Sequence, residues 1–196
     1  MTLRPVPFSA TRGDYQQQAA TLLAAHAAAD PAAIRLFHEK HPRFLDEKVT
    51  WLPKPILDSE IQNAELTIAD AQLAVARWYD FRDWAALSRY VEEVSDPNGP
   101  VHRFEAAVEA VVIGDALALT ALLKANPDLI HARSTRITHF DPPVHRCTLL
   151  HYIGANGVEG HRQKTLKTRS KSQRSYSPPA PIPTPLPAST AANAPP

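Results

Sequence analysis

Phe104, Ala107, Val108, Val111 and Val112 recur at steps of three and four residues, and the pattern stops at Gly114. A second apolar run, Leu117, Leu119, Leu122 and Leu123, begins almost at once and stops at Asn126-Pro127. With only Gly114-Asp115 between them, the two helices must fold back as antiparallel neighbours. This hairpin constrains the fold more than any other feature. Two helices alone cannot cover their own apolar faces, so further helical surface has to pack on them.

The rest of the chain supplies that surface. Residues 14–29 form an Ala/Gln/Leu-rich run of high helix propensity. Asp30-Pro31 then combines an N-cap with a proline preset for the first helical turn. The helix it starts carries Ile34, Phe37 and His38 on one face and ends before Pro42. Residues 42–57, interrupted by Pro42, Pro53 and Pro55, are expected to be a loop packed around Trp51 and Leu52. Ile68, Leu73, Ala76 and Trp78 mark another helix, and Trp84, Leu87, Tyr90, Val91 and Val94 the next, with Asp83 as its N-cap. Trp51, Trp78 and Trp84 are read as core or loop anchors. A loop over residues 128–147 leads to a short third helical segment beginning at Thr148. Strand signals are nearly absent, and the expected fold class is all-α.

Charge and proline divide the chain further. Residues 1–160 hold 15 Lys and Arg against all 20 Asp and Glu, whereas residues 161–196 hold six basic residues and no acid. Eight of the 19 prolines fall after Ser177. The expected organisation is an irregular stretch over 1–13 and a helical N-terminal domain over 14–95. A linker follows at 96–100, where two prolines and a glycine cluster, then a helical stack over 101–160 and a disordered, basic Pro/Ala/Ser-rich tail over 161–196. One cysteine excludes a disulfide scaffold. No apolar run approaches the roughly 20 residues that cross a bilayer, and no secretory signal is visible at the N-terminus. A cytoplasmic protein is therefore expected.

Thr148-Leu149-Leu150-His151, with Gly157 further on, resembles the opening of an ankyrin repeat, whose unit begins Thr-Pro-Leu-His. The resemblance implies that Thr148 and His151 tie the backbone together at the helix start. Leu149 replaces the usual Pro, and Gly154 a usual Ala. The hairpin over 104–127 is similar to an earlier repeat, with Ala-x-x-x-Gly-Asp followed by Leu-x-x-Leu-Leu-x-x-x-Pro. Gly114 and Gly157 lie 43 residues apart; the ankyrin period is about 33, so an enlarged loop near 138–146 has to absorb the difference. Ala76-Arg77-Trp78-Tyr79-Asp80-Phe81-Arg82-Asp83-Trp84 is similar to an Ala-Arg-x-x-Gly-Phe-x-x-Trp segment that accompanies ankyrin repeats in some bacterial proteins.

The second helix of the last repeat is missing, because His161 onward turns to Arg, Gln, Lys, Ser and Pro. Read one base out of register, Ser170, Ser172, Ser175, Tyr176 and Ser177 become apolar, and Pro178 and Pro179 become Ala-like. The tail is thus expected to be a frame-shifted reading of a longer ankyrin gene, which the nucleotide sequence tests directly. Truncation would leave Leu149, Leu150 and Ile153 uncapped, and the C-terminal region prone to fraying or association.

Chemistry has few footholds. His131, His139, His145, Cys147 and His151 crowd together, but their spacings of 7, 5, 1 and 3 intervening residues match no zinc pattern. Ser134, Asp141 and His145 offer the residue types of a triad without a Gly-x-Ser-x-Gly elbow. No phosphate-cradling glycine loop occurs, and Glu92-Glu93 reads as a solvated pair. The resemblance implies a non-catalytic protein–protein interaction module with an unidentified protein partner, using no cofactor, metal or small-molecule substrate. The expected contact surface is the loop over 133–147, through Arg133, Arg136, His139, Phe140 and His145. The alternatives are a metal-dependent hydrolase built on the His/Cys loop over 131–151, and a nucleic-acid binder using the basic tail.

Overall fold

Local capping decides where the helices begin. Thr11 starts α1 (Arg12–Ala27): its hydroxyl accepts the Asp14 N–H, and the Asp14 carboxylate takes the Thr11 N–H at 2.7 Å. Asp30 caps α2 (Pro31–Lys40), accepting from Ala32 and Ala33, and Asp83 caps α5 (Trp84–Val94), accepting from Ala86 at 2.8 Å. Between them lie α3 (Asp58–Gln62) and α4 (Ile68–Trp78). Then come α6 (Pro100–Ile113), α7 (Ala116–Ala125) and α8 (Leu149–Ala155). The computed structural model describes residues 3–138, 146–155 and 159–162, all within one unit, Met1–Lys164. The fold is all-α.

Two apolar clusters organise this unit. The larger joins Tyr15, Ala19 and Leu22 of α1 to Ile34 and Phe37 of α2, Ala71, Ala74 and Val75 of α4, and Leu87, Tyr90 and Val94 of α5. Alanines on the facing sides of α1 and α4 let the two backbones come close. The buried stripe of α4 therefore runs through small residues; Ile68, expected on it, is 46% exposed at the first turn. The second cluster gathers Phe104, Ala107, Val108 and Val112 of α6 with Leu129, Cys147, Leu149 and Tyr152, while Leu119, Leu122 and Leu123 of α7 cover its edge.

The expected hairpin is α6 and α7. Gly114 ends α6 at φ +80°, a conformation that suits glycine, and Asp115 caps α7. Leu117 departs from expectation: it is 86% exposed, because α7 packs on α6 and on the 3₁₀ turn Pro127–Ile130 and turns this side outward. Trp51 and Leu52 also stand exposed. Phe44 and Leu45 do the burying in that loop, which closes through a Leu45–Pro53 bridge. Trp78 and Trp84 are half-buried against the larger cluster.

Histidines hold several junctions. His26 Nε2 donates to the Ile61 carbonyl at 2.8 Å, and His38 Nε2 to the Lys54 carbonyl at 2.8 Å. His102 Nδ1 donates to the Val94 carbonyl at 2.8 Å, which fastens α6 to the end of α5 across the Ser95–Gly99 turn.

Candidate functional site

The loop after α7 runs back along the N-terminal helices. Arg82 N–H donates to the Ile137 carbonyl at 2.8 Å, Phe81 and Thr138 form a bridge, and Ser134 N–H donates to the Cys147 carbonyl. This path turns Arg136 inward. Its guanidinium lies 4.9 Å from the centre of the Phe81 ring and 4.4 Å from that of Tyr90. Nε donates to Glu105 Oε1 at 3.3 Å, and Nη2 to the Tyr90 hydroxyl at 3.0 Å. Arg136 was expected on an exposed contact surface, and its burial removes it from one: its side chain is 5% exposed. The reason is Glu105, a carboxylate 1% exposed inside α6, which requires a cation beside it.

A second cation comes from beyond the expected end of the helical stack. Gly160–Arg162 forms a 3₁₀ turn in which Arg162 is buried and donates through Nη2 to Glu105 Oε2. Glu159 accepts from the Tyr152 hydroxyl at 2.7 Å and lies 3.5 Å from Arg136 Nε. Asp80 completes the attachment by accepting the Gly160 N–H at 2.9 Å. Asp80 holds φ +63°, a left-handed conformation that Asp tolerates better than most residues. His161 and Arg162 thus belong to the folded unit, not to the tail.

Electrostatics in this cluster oppose one another. Burial pushes the Glu105 carboxyl up, but the charges of Arg136 and Arg162 and their hydrogen bonds outweigh it and bring it to about 2. Burial, helped by the same two arginines, drops His161 to about 2. His161 sits against Trp78 and Tyr79, with ring centres 5.8 and 4.9 Å away. Both groups have folded pKa values below their unfolded ones, so both contribute stability at neutral pH that disappears on acidification. Of these two groups, His161 acts between pH 6.5 and 4.5, with a slope of about 1.4 kcal/mol per pH unit, and Glu105 adds its share below about 4.5. Urea unfolding measured from pH 7 to 4.5 is expected to show this decline, and His161→Phe to flatten most of it. His41, also lowered by burial, supplies the smaller remainder.

Beside the cluster a cavity of about 370 Å³ is lined by Val6, Phe8, Tyr15, Tyr79, Arg136 and Arg162. Arg136 Nε and Nη2 and Arg162 Nη2 donate to Glu105 and Tyr90, whereas Nη1 of each arginine makes no hydrogen bond among the described residues. The open surface lies elsewhere. Leu119 and Leu123 of α7, Ile130, and Leu149, Leu150 and Ile153 of α8 line a groove of about 550 Å³, with His131, Arg133 and Thr148 at its edge. Leu150 is 73% exposed and Ile153 59%, as expected of these two residues. Leu149, expected to be uncapped with them, is instead buried against the α6 cluster.

The remaining site residues divide by position. Arg133 is exposed, and its Nη1 donates to the Arg146 carbonyl at 3.0 Å. Thr148 N–H donates to His151 Nδ1 at 3.2 Å, and the Thr148 hydroxyl lies 3.0 Å from the same nitrogen. His139, Phe140, Asp141, His145 and Gly157 lie outside the described residues, as does the tail from Gln163. Cys147 is buried, and that burial pushes its thiol up. Among the described residues no three His, Cys, Asp or Glu groups gather to hold a metal ion. None of the described helices is long and apolar enough to cross a membrane. Glu92 of the acidic pair is exposed and meets Arg12 at 2.9 Å.

The buried cluster escaped sequence reasoning because Glu105, Arg136 and Arg162 are each ordinary surface types in their local context. One signal was available: Glu105 follows Phe104 directly and sits among the apolar positions of α6. No family model, curated protein or solved structure matches this chain.

Proposed function

We propose that this chain is a non-catalytic protein–protein recognition module of the cytoplasm, whose C-terminal helices form a short ankyrin-like stack. The observation that carries the reading is the apolar groove between α7 and α8, with Leu150 and Ile153 exposed on an ordered scaffold. The ankyrin-like part is supported by the tie between Thr148 and His151, the arrangement that the resemblance implies, and by the α6–α7 hairpin closed on Gly114. Of the loop residues expected to make contact, Arg133 stands at the groove's edge and Arg136 holds the scaffold behind it.

The test compares the immobilised full chain with the double variant Leu150→Asp/Ile153→Asp. Both residues are exposed, so the variant should retain its helical circular dichroism. A protein retained by the wild type and depleted at least about tenfold on the variant supports the reading. Equal retention of the same proteins by both overturns it.

A further inference from the structure

We infer that the groove between α7 and α8 receives an amphipathic helix of a partner protein, one whose apolar stripe is flanked by carboxylates. This rests on the recognition reading above and names the partner's chemistry. The first observation is α8 itself. Leu149 and Tyr152 are buried against α6, whereas Leu150 and Ile153, one position further round, are 73% and 59% exposed. A helix apolar on both sides is suited to burial on both sides.

The second observation is the shape of the walls. Leu119 and Leu123 on α7 form an i, i+4 pair, and Leu150 and Ile153 on α8 an i, i+3 pair, the spacings of the side-chain ridges against which a third helix packs. An extended peptide would find no strand edge here to pair with, since both walls are helical.

The third observation is charge. Arg133 and His131 stand at the edge, and among the described residues no carboxylate lines the groove or pairs with Arg133. An acidic flank on the incoming helix would satisfy the guanidinium and steer the encounter. The same charge argues against the other occupants. Residues 163–196 bring five basic residues and no acid. A second copy, docked face to face, would set Arg133 against an equally basic edge.

The probe is a labelled synthetic helix of about 18 residues with Leu at i, i+3, i+4 and i+7 and Glu on both flanks. It is compared with the same peptide carrying Lys at the Glu positions. Anisotropy titrations with the full chain are expected to show the Glu peptide binding at least about tenfold tighter. Arg133→Glu should invert that order, and Leu150→Asp should abolish binding of both. Equal affinities, or binding of neither peptide, overturn the proposal. A concentration-dependent dimer dissolved by Leu150→Asp would make a second copy the occupant and also overturn it. So would hydrogen-exchange protection of residues 163–196 that is lost in Leu150→Asp. If the peptides tie while the Leu150→Asp/Ile153→Asp variant still loses its captured protein, only the charge inference fails; if that variant loses nothing, the recognition reading fails with it.

Discussion

Arg136→Ala is expected to cost about 3–5 kcal/mol of folding stability, read as a lowered urea midpoint with an unchanged slope. The magnitude does not come from the attraction of the pair taken alone, since desolvation offsets much of what a buried ion pair contributes. It comes from what the substitution leaves behind. Glu105, 1% exposed, would keep one guanidinium in place of two, and the Tyr90 hydroxyl would lose a hydrogen bond. The stacked contacts on Phe81 and Tyr90 would also disappear. Arg136→Lys should recover less than half of the loss, because a single ammonium cannot reach Glu105 and Tyr90 together while lying over two rings. A cost below about 1 kcal/mol would mean that water enters and solvates Glu105, and that the cluster does not join the loop to the N-terminal helices.

Arg162→Ala is expected to cost about 3 kcal/mol, an unusual effect for a residue that sequence composition assigns to a solvated tail. Its guanidinium meets Glu105 across 57 residues and lies 3.8 Å from Glu159. Removing it leaves Arg136 to serve both carboxylates. The two arginines therefore share partners and repel each other, and the double variant should lose more than the sum of the single losses, because no cation then remains beside either buried carboxylate. Additive losses would show that each acts alone, contrary to the shared geometry. The substitution should also raise the Glu105 pKa from its folded value of about 2, which moves the acid limb of the stability profile upward.

Much of the helical framework was legible because its signals are short-range. Asp30 and Asp83 were read as caps and do cap, and Gly114 closes a helix in the left-handed conformation that its position suggested. Leu87, Tyr90, Val91 and Val94 form the buried stripe their spacing announced. Ile68 and Leu117 were misplaced because periodicity describes one helix and says nothing of which neighbour arrives. Trp51 illustrates the same limit in a loop: its size favours burial, but Phe44 and Leu45 occupy the inner positions.

The groove was half legible. The exposure of Leu150 and Ile153 agrees with the expectation, whereas the burial of Leu149 depended on how closely α8 settles on α6. The fate of Arg136 was not legible at all. A basic residue in a loop is ordinarily exposed, and nothing within several residues of Arg136 announces the carboxylate it meets.

The α6–α7 hairpin, and the caps and breaks around it, were determined by the sequence alone. Capping and helical periodicity involve groups three or four residues apart, which are close in space whatever the rest of the chain does. Only the tertiary structure decided that Glu105, Arg136, Glu159 and Arg162 share one buried site, and that the folded unit continues past Gly160. Glu105 meets Arg136 across 31 residues and Arg162 across 57. Burying any one of these charges is unfavourable until the others arrive, so no local pattern can encode their meeting.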